Sequence, residues 1–89
     1  MKKRGRLEII RDILEIIREN RNKIRFTPLL RKSNLSSSSF KEYYSEIINL
    51  GFVVESEIKE KKIISLTEKG ESFLEKYKTI VSFIDEFKL

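Results

Sequence analysis

The fold of this chain is decided by residues 27–51, TPLLRKSNLSSSSFKEYYSEIINLG. Thr27 and Pro28 predict the start of a short helix, because threonine can cap free backbone amides and proline suits the first helical position. Asn34 predicts the end of this helix, since asparagine tolerates the left-handed conformation that closes a helix. Only the short turn of residues 33–36 then separates it from a second helix.

The second helix of this stretch is predicted to begin after Ser36 and to end at Gly51. Ser36 is the favoured N-cap, because Leu35 and Phe40 then occupy the positions whose side chains pack across the first turn. Ser39 and Glu42 also have the spacing of a capping box, so a start three residues later stays open. The side chains predicted to face the core are Phe40, Tyr43, Tyr44, Ile47, Ile48 and Leu50.

The flanking residues predict one more helix and a hairpin. In residues 6–20 the apolar side chains recur at steps of three and four, which is typical of an amphipathic helix. Residues 24–26 form a candidate extended segment that pairs with the hairpin. Residues 52–57 and 62–66 are short β-branched runs joined by the charged segment 58–61, as expected of two hairpin strands and their tip. Helix, turn, helix and hairpin in this order indicate a winged helix.

A final helix is predicted from the cap Thr67 to about Lys88. Its apolar side chains are spaced four, three, four and three residues apart, which is the pattern of a coiled-coil seam. A helix this long presents more apolar surface than one small domain covers, so we expect part of it to meet a second copy of the chain. The predicted dimer-interface residues are Phe73, Tyr77, Ile80, Val81, Ile84 and Phe87.

These elements predict a mainly α fold with a small β-hairpin, in the α+β class. Residues 1–67 are expected to form the winged helix-turn-helix domain. Residues 68–89 are expected to form a C-terminal helix used for dimerisation.

The net charge of +5 is confined to the N-terminal third of the chain. Residues 1–32 have a balance of +7, whereas residues 33–67 and 68–89 each have a balance of −1. Clustered lysine and arginine are the electrostatic footprint of phosphate binding, so one side of the molecule is predicted to contact a polyanion. The alternative interpretation is ordinary solvation of a charged chain end.

The composition gives no support to catalysis or to metal binding. The chain has neither cysteine nor histidine, and its acidic residues are scattered over predicted polar faces, so we expect no enzyme, no metal site and no cofactor. No small-molecule substrate is evident. No apolar run reaches membrane-spanning length, and the basic start leads into a charged helix rather than a signal peptide. We expect a soluble, cytoplasmic protein.

Three stretches resemble a known family: residues 3–10, KRGRLEII, with residues 13–14; residues 33–36 leading into residues 40–43; and residues 66–74, LTEKGESFL. In this order they resemble the small archaeal winged helix-turn-helix proteins described as chromatin-associated or transcription-regulator-like DNA-binding proteins. The resemblance covers nearly the whole chain. It implies a nucleoid-associated dimer with two DNA-binding heads, in which the C-terminal helix pairs with its twin as an antiparallel coiled coil.

The chain departs from the family pattern at two places. Phe26 stands where a smaller residue is expected, and residues 37–39, all serine, replace a more varied helix start. The second departure lowers the expectation of base-specific contacts.

The outer face of the helix that follows Ser36 is predicted to enter the major groove of DNA. It carries serine, Lys41 and Glu42 but neither arginine nor asparagine, so we expect phosphate contacts to dominate and sequence preference to be modest. The hairpin lysines are expected to lie along an adjacent minor groove or its phosphates. A flexible N-terminal arm is expected to contact the DNA backbone through Lys2, Lys3, Arg4 and Arg6. The predicted DNA-binding residues are Arg4, Arg6, Arg25, Arg31, Lys32, Ser36, Ser37, Ser38, Lys41, Ser45, Lys59, Lys61 and Lys62.

The sequence therefore predicts a homodimer that binds double-stranded DNA, either as a transcription regulator or as an architectural chromatin protein. The alternative is a winged helix that docks on other proteins of a larger assembly. Acidic residues near the predicted DNA-binding face motivate this alternative, namely Glu42, Glu46, Glu55 and Glu57.

Overall fold

The structure is a computed structural model that describes residues 4–89. Its elements, in chain order, are α1 (Arg6–Glu19), α2 (Phe26–Ser33), α3 (Ser37–Asn49), β1 (Val53–Ile58), β2 (Lys61–Leu66) and α4 (Glu68–Phe87). The predicted mainly α fold with one hairpin and a long last helix is confirmed. Within the described residues, none of the helices is long and apolar enough to cross a membrane.

Three of the predicted helix caps are present, at Ser36, Asn34 and Thr67. Ser36 Oγ accepts a hydrogen bond from the backbone N–H of Ser39 at 3.2 Å, and α3 begins at Ser37. Asn34 closes α2 in the left-handed conformation, with φ at 60°. Because a serine hydroxyl satisfies an otherwise free amide of the first turn, this cap ends the helix-turn-helix turn at a defined residue.

The predicted start of α2 is wrong. The helix begins at Phe26, with Arg25 as its N-cap and without a side-chain capping hydrogen bond, so Thr27 is not the cap and Pro28 is the third helical residue. Proline is tolerated there because the amides of the first turn have no intrahelical partner. The pair Thr27 and Pro28 therefore lies inside the first turn.

The two strands pair antiparallel from Val53 opposite Leu66 to Ile58 opposite Lys61. The predicted four-residue tip is wrong, because only Lys59 and Glu60 form the turn, with φ values of 52° and 66°. Two-residue turns with positive φ match the right-handed twist of paired strands. With this turn, the two strands of the hairpin, here called the wing, stay paired one residue further toward the tip than predicted.

The loop between α1 and α2 is tied to β2. Ile24 N donates to Ile64 O at 3.1 Å, and Ile64 N donates to Ile24 O at 2.8 Å, so the predicted pairing of this segment with the hairpin is confirmed for Ile24. Asn22 Oδ1 accepts a further hydrogen bond from Leu66 N at 2.7 Å. These bonds hold the base of the wing against the end of α1.

The hydrophobic core is built around α1, which contacts α2, β2 and α4. Burying one such aliphatic side chain contributes about 1.5–3 kcal/mol, so this face of α1 carries a large share of the stability of the fold. The fully buried hydrophobic side chains are Ile10, Ile13, Leu14, Ile17, Leu29, Phe40, Ile47 and Ile64.

The first turn of α4 is fastened to the end of α3. Thr67 Oγ1 caps α4 by accepting from Gly70 N at 3.1 Å, and it donates to the carbonyl oxygen of Gly51 at 2.5 Å. A Cβ atom at Gly70 would lie only 2.2 Å from the carbonyl oxygen of Phe52. This position therefore accepts glycine only, and α4 leaves the domain in a fixed direction.

Beyond this anchored start, α4 projects from the domain. Leu74 is buried in the core, whereas residues 78–89 are all exposed. The projection explains the elongated shape, whose principal extents are 49 × 29 × 21 Å.

Candidate nucleic-acid interface

The outer face of α3 is polar and nearly neutral. Ser37, Ser38, Lys41 and Ser45 are all exposed on it, as is Glu42. Lys41 and Glu42 are its charged side chains, with opposite signs. This face can present hydroxyl groups to a ligand, but its electrostatic attraction for a polyanion is weak.

Ser36 stands apart from the other serines. Its hydroxyl oxygen accepts the capping hydrogen bond from Ser39 N, and it lies 3.5 Å from Ser38 Oγ. The side chain is thus engaged in holding the first turn of α3.

An aromatic cluster fixes the start of α2 against α3. The ring of Phe26 lies edge-on to the rings of Phe40 and Tyr44, with centroid separations of 5.2 and 5.4 Å. The rings of Phe40 and Tyr44 are stacked at 5.8 Å. Edge-on aromatic pairs add about 0.5–1.5 kcal/mol beyond their area burial. The large side chain at residue 26 therefore has a structural reason: it wedges α2 onto α3.

A cleft with three cationic side chains opens beside this cluster, between α2 and the wing. It has a volume of about 360 Å³, and we call it the basic cleft. Arg25 comes from the N-cap of α2, Arg31 from its last turn, and Lys62 from β2. No acidic side chain of residues 4–89 lines it, so Arg25 and Arg31 keep their positive charge there, and Lys62 adds a third cation that a carboxylate outside the lining partly balances. The residues that line the basic cleft are Arg25, Phe26, Thr27, Pro28, Arg31 and Lys62.

One carboxylate joins α3 to the wing next to this cleft. Glu55 accepts a hydrogen bond from the hydroxyl of Tyr44, and its other oxygen lies 3.8 Å from Lys62 Nζ. Burial raises the pKa of Tyr44, and the hydrogen bond to Glu55 raises it further. The tyrosine therefore remains a donor at neutral pH and holds β1 close to α3.

The tip of the wing carries two more cations. Lys59 and Lys61 are exposed on either side of Glu60, at the end of the hairpin remote from the core. Together with Lys62 they place positive charge along β2 from the tip to the basic cleft.

The structure does not bring the remaining predicted cations into this group. Arg4 donates to Asp12 Oδ2 at 2.9 Å and to Ser33 O at 3.2 Å, and Arg6 pairs with Glu46. The expectation that Arg4 and Arg6 lie on a flexible arm is therefore wrong, because both are held by partners in the fold. Lys2 and Lys3 lie outside the described residues.

Lys32 is also separated from its neighbour in sequence. Its Nζ donates to Asn20 Oδ1 at 3.2 Å, on the side of α1, whereas Arg31 lines the basic cleft. Adjacent helical residues point about 100° apart, so only one of the two can face the cleft.

The sequence interpretation missed one polar residue of the cleft. Thr27 is exposed and lines it, although the threonine-proline pair was interpreted only as a cap. Its place three residues after Ile24, whose pairing with the hairpin was predicted, is the signal that could have located it near the wing.

The predicted dimer residues divide into two groups. The ring of Phe73 lies 4.9 Å from that of Phe52, and Tyr77 lies 6.0 Å from Phe73, so both are partly covered within the protomer. Exposure begins further along α4, where Ile80 is 58% exposed and Phe87 58% exposed. Val81 and Ile84 are exposed as well.

Helix, short turn, helix and an antiparallel wing, with α1 packed behind them, define the winged helix-turn-helix class. The chain belongs to the winged helix-turn-helix family, whose model matches residues 3–85. The resemblance and the fold class predicted from the sequence are thereby confirmed.

Two solved structures share this fold over nearly their whole length. Sso10a-2, a DNA-binding protein from Sulfolobus solfataricus, is 21% identical, with a TM-score of 0.75 over 96% of this chain and 86% of that one. SSV1 F-93 is 24% identical, with a TM-score of 0.67 over 98% of this chain and 97% of that one. No curated protein sequence matches the chain.

Proposed function

We propose that this chain binds double-stranded DNA through α3, the basic cleft and the wing, mainly by contacts to phosphates. The observation that carries this proposal is the basic cleft, where Arg25, Arg31 and Lys62 surround an opening that no acidic side chain in the described part of the chain lines. Such convergence of cations next to the recognition helix of a winged helix suits the DNA backbone. The description of Sso10a-2 as a DNA-binding protein supports the same activity.

In this proposal α3 enters the major groove and the wing lies along the neighbouring minor groove. The basic cleft then meets the phosphate backbone between the two grooves. The outer face of α3 offers serine hydroxyls and Lys41 instead of the bidentate side chains that discriminate bases best. We therefore propose modest sequence preference, which suits an architectural protein or a regulator that depends on local concentration.

Retardation of labelled duplex across a salt series tests the proposal, with Arg31→Glu compared with Lys32→Glu. The two variants change charge equally, on adjacent exposed residues of α2, but only Arg31 lines the basic cleft. We expect Arg31→Glu to weaken binding at least tenfold more than Lys32→Glu. The milder Arg31→Ala should lower the salt slope of binding by about one.

Equal effects of the two reversals would mean that only net charge matters and that the cleft is not the contact. A wild-type chain that retards no duplex at low salt would contradict the whole proposal.

We also propose that residues 68–89 make the protein a homodimer. Support comes from the exposed half of α4, where Ile80, Phe83 and Phe87 are each more than half exposed along one side of the helix. A single small domain rarely leaves such a stripe in water. Light scattering on the full chain should give the dimer mass, and Ile80→Lys together with Ile84→Lys should give the monomer mass with unchanged helix content. A monomeric wild-type protein would contradict the proposed homodimer.

One observation favours a second candidate, a protein-docking winged helix. Glu42 lies exposed in the middle of the proposed DNA-binding face of α3, where a carboxylate repels phosphates. In the DNA-binding proposal, Glu42→Gln should strengthen duplex binding. In the docking alternative it should leave duplex binding unchanged and weaken the interaction with a basic protein partner.

A further inference from the structure

A second cleft, of about 270 Å³, lies between α1 and α4. We call it the α1–α4 cleft. It has an apolar floor on α4 and mostly charged walls on α1. The residues that line it are Arg11, Glu15, Arg18, Leu74, Tyr77, Lys78, Val81 and Ser82.

Arg11 lies in this cleft with part of its hydrogen-bonding capacity unused. Its guanidinium lies over the ring of Tyr77, with Cζ 5.3 Å from the ring centroid. Its Nε is buried and has no hydrogen-bond partner among the described residues, because it lies 3.0 Å from Asp12 Oδ1 without the geometry of a hydrogen bond. The other Asp12 oxygen accepts from Arg4. The Nη groups of Arg11 make no hydrogen bond within residues 4–89, so they can donate to a further carboxylate even though Nε is buried.

The cleft continues into the exposed stripe of α4. Arg18 lies 3.4 Å from Glu75, whereas Arg11 lies over Tyr77, so earlier residues of α1 lie beside later residues of α4. Leu7, one turn before Arg11 on α1, is 53% exposed. The open stripe of α4 thus has α1 along one edge.

We infer that in the homodimer the end of the partner's α4 packs beside this cleft and that Asp85 of the partner subunit pairs with Arg11. The inference rests on the proposed homodimer and specifies its register. The occupant is a second copy of this chain, because the same helix that offers the apolar seam also carries the acidic residue that complements Arg11.

The register follows from the seam. Phe73 is covered by Phe52 within the protomer and Tyr77 is partly covered, so the open seam consists of Ile80, Ile84 and Phe87, with the uncovered part of Tyr77 next to them. An antiparallel pair covers all four positions when Tyr77 meets Phe87 and Ile80 meets Ile84, twice by symmetry. Position 85 of one helix then lies level with position 79 of the other, between Tyr77 and Val81, which both line the cleft.

A parallel pair does not make this contact. Position 85 would then lie level with position 85 of the other helix, about 12 Å along the axis from Tyr77 at 1.5 Å per residue. The ion pair therefore reports orientation as well as register. It also ties the coiled coil to α1, which would fix the direction in which each DNA-binding head leaves the dimer axis.

Charge reversal and its rescue test the inference, with the dimer dissociation constant measured by sedimentation equilibrium at low salt. Arg11→Glu and Asp85→Arg should each weaken the dimer about tenfold, since the contact occurs twice per dimer. The double variant should recover most of the loss. The matched control combines Arg11→Glu with Glu86→Arg, which changes the neighbouring acidic residue on the other side of α4 and should recover nothing.

Asp85→Arg also guards against a folding defect. Within residues 4–89 the Asp85 side chain makes no hydrogen bond or ion pair, so its reversal should leave the protomer folded. Equal recovery by both double variants, or none by either, would overturn the inference while wild-type dimerisation and duplex binding stand. A monomeric wild type would overturn the dimer itself.

Discussion

The two halves of α4 have the same period of apolar residues but different surroundings. In the first half Leu74 is only 3% exposed, and Phe73 packs on Phe52. In the second half every residue from Lys78 to Leu89 is exposed, including Phe83 at 54%. The comparison teaches that periodicity identifies the apolar side of a helix, whereas what covers that side depends on the rest of the molecule.

The largest difference between the halves is expected for large-to-small substitutions. Leu74→Ala should lower the free energy of unfolding by about 3 kcal/mol, because it leaves a cavity in the core. Ile84→Ala should cost the isolated protomer less than about 0.5 kcal/mol, because that side chain is exposed. Denaturant unfolding at two protein concentrations measures both effects.

The concentration dependence separates the two halves further. The effect of Leu74→Ala should be the same at both concentrations. Any extra effect of Ile84→Ala should vanish on dilution, because it acts on association. Equal and concentration-independent effects would show that the second half is covered within the protomer.

A smaller difference between the halves is expected when a methyl group is added at residue 70 or a hydroxyl group is removed at residue 82. Gly70→Ala should destabilise the protein by about 2 kcal/mol, because its Cβ would meet the Phe52 carbonyl oxygen, and backbone atoms cannot swing aside. Ser82→Ala, in the exposed half, should change stability by less than about 0.5 kcal/mol. Thermal unfolding monitored by circular dichroism suffices, and a neutral Gly70→Ala would mean that α4 can shift on the domain.

Thr67, the N-cap of α4, and Thr79, in the exposed half of the helix, are also expected to differ in their contribution to stability. Thr67→Ala should cost about 1 kcal/mol, since it removes the cap on Gly70 N and the hydrogen bond to Gly51 O. Thr79 donates only to the Glu75 carbonyl oxygen within the helix, so Thr79→Ala should be neutral or slightly stabilising. Urea unfolding measures the change in the free energy of unfolding for both variants. An equal loss of stability in Thr79→Ala and Thr67→Ala would contradict the comparison.

The smallest difference is expected for the surface acids. Glu75 lies 3.4 Å from Arg18, an exposed ion pair worth about 0.3 kcal/mol, so Glu75→Gln should have a slight effect that disappears in high salt. Glu86→Gln should have none at any salt concentration. A salt-independent loss at Glu75 would mean that the carboxylate has a structural role beyond this pair.

The sequence predicted the elements well at positions where a residue type favours one structural role, such as a helix cap. Ser36 caps α3, Asn34 closes α2 and Ile24 pairs with the hairpin, each as predicted. Prediction failed at positions where the same residues are compatible with more than one local structure. Proline is tolerated at several positions of the first turn, so Pro28 did not mark its first residue, and Lys59 with Glu60 form a tight turn without the usual glycine or asparagine.

The sequence predicted the candidate site as a set of cationic residues, and the structure shows which of them line the basic cleft and which lie elsewhere. Arg25, Arg31 and Lys62 converge although 37 positions separate the first from the last in sequence. Arg4 and Lys32, which looked equivalent to them, are turned toward Asp12 and Asn20. Charge counting along the chain could not separate these groups, because helical phase and long-range partners decide which cations face the same opening.

The sequence by itself determined the order of elements, the capped turn between α2 and α3, and the apolar side of every helix. These features depend on side chains within a few residues of one another, so local chemistry is enough to specify them. Only the tertiary structure decided which cations form the basic cleft, which half of α4 is covered, and why residue 70 is glycine. Each of these depends on groups far apart in sequence, whose meeting is a property of the packed core.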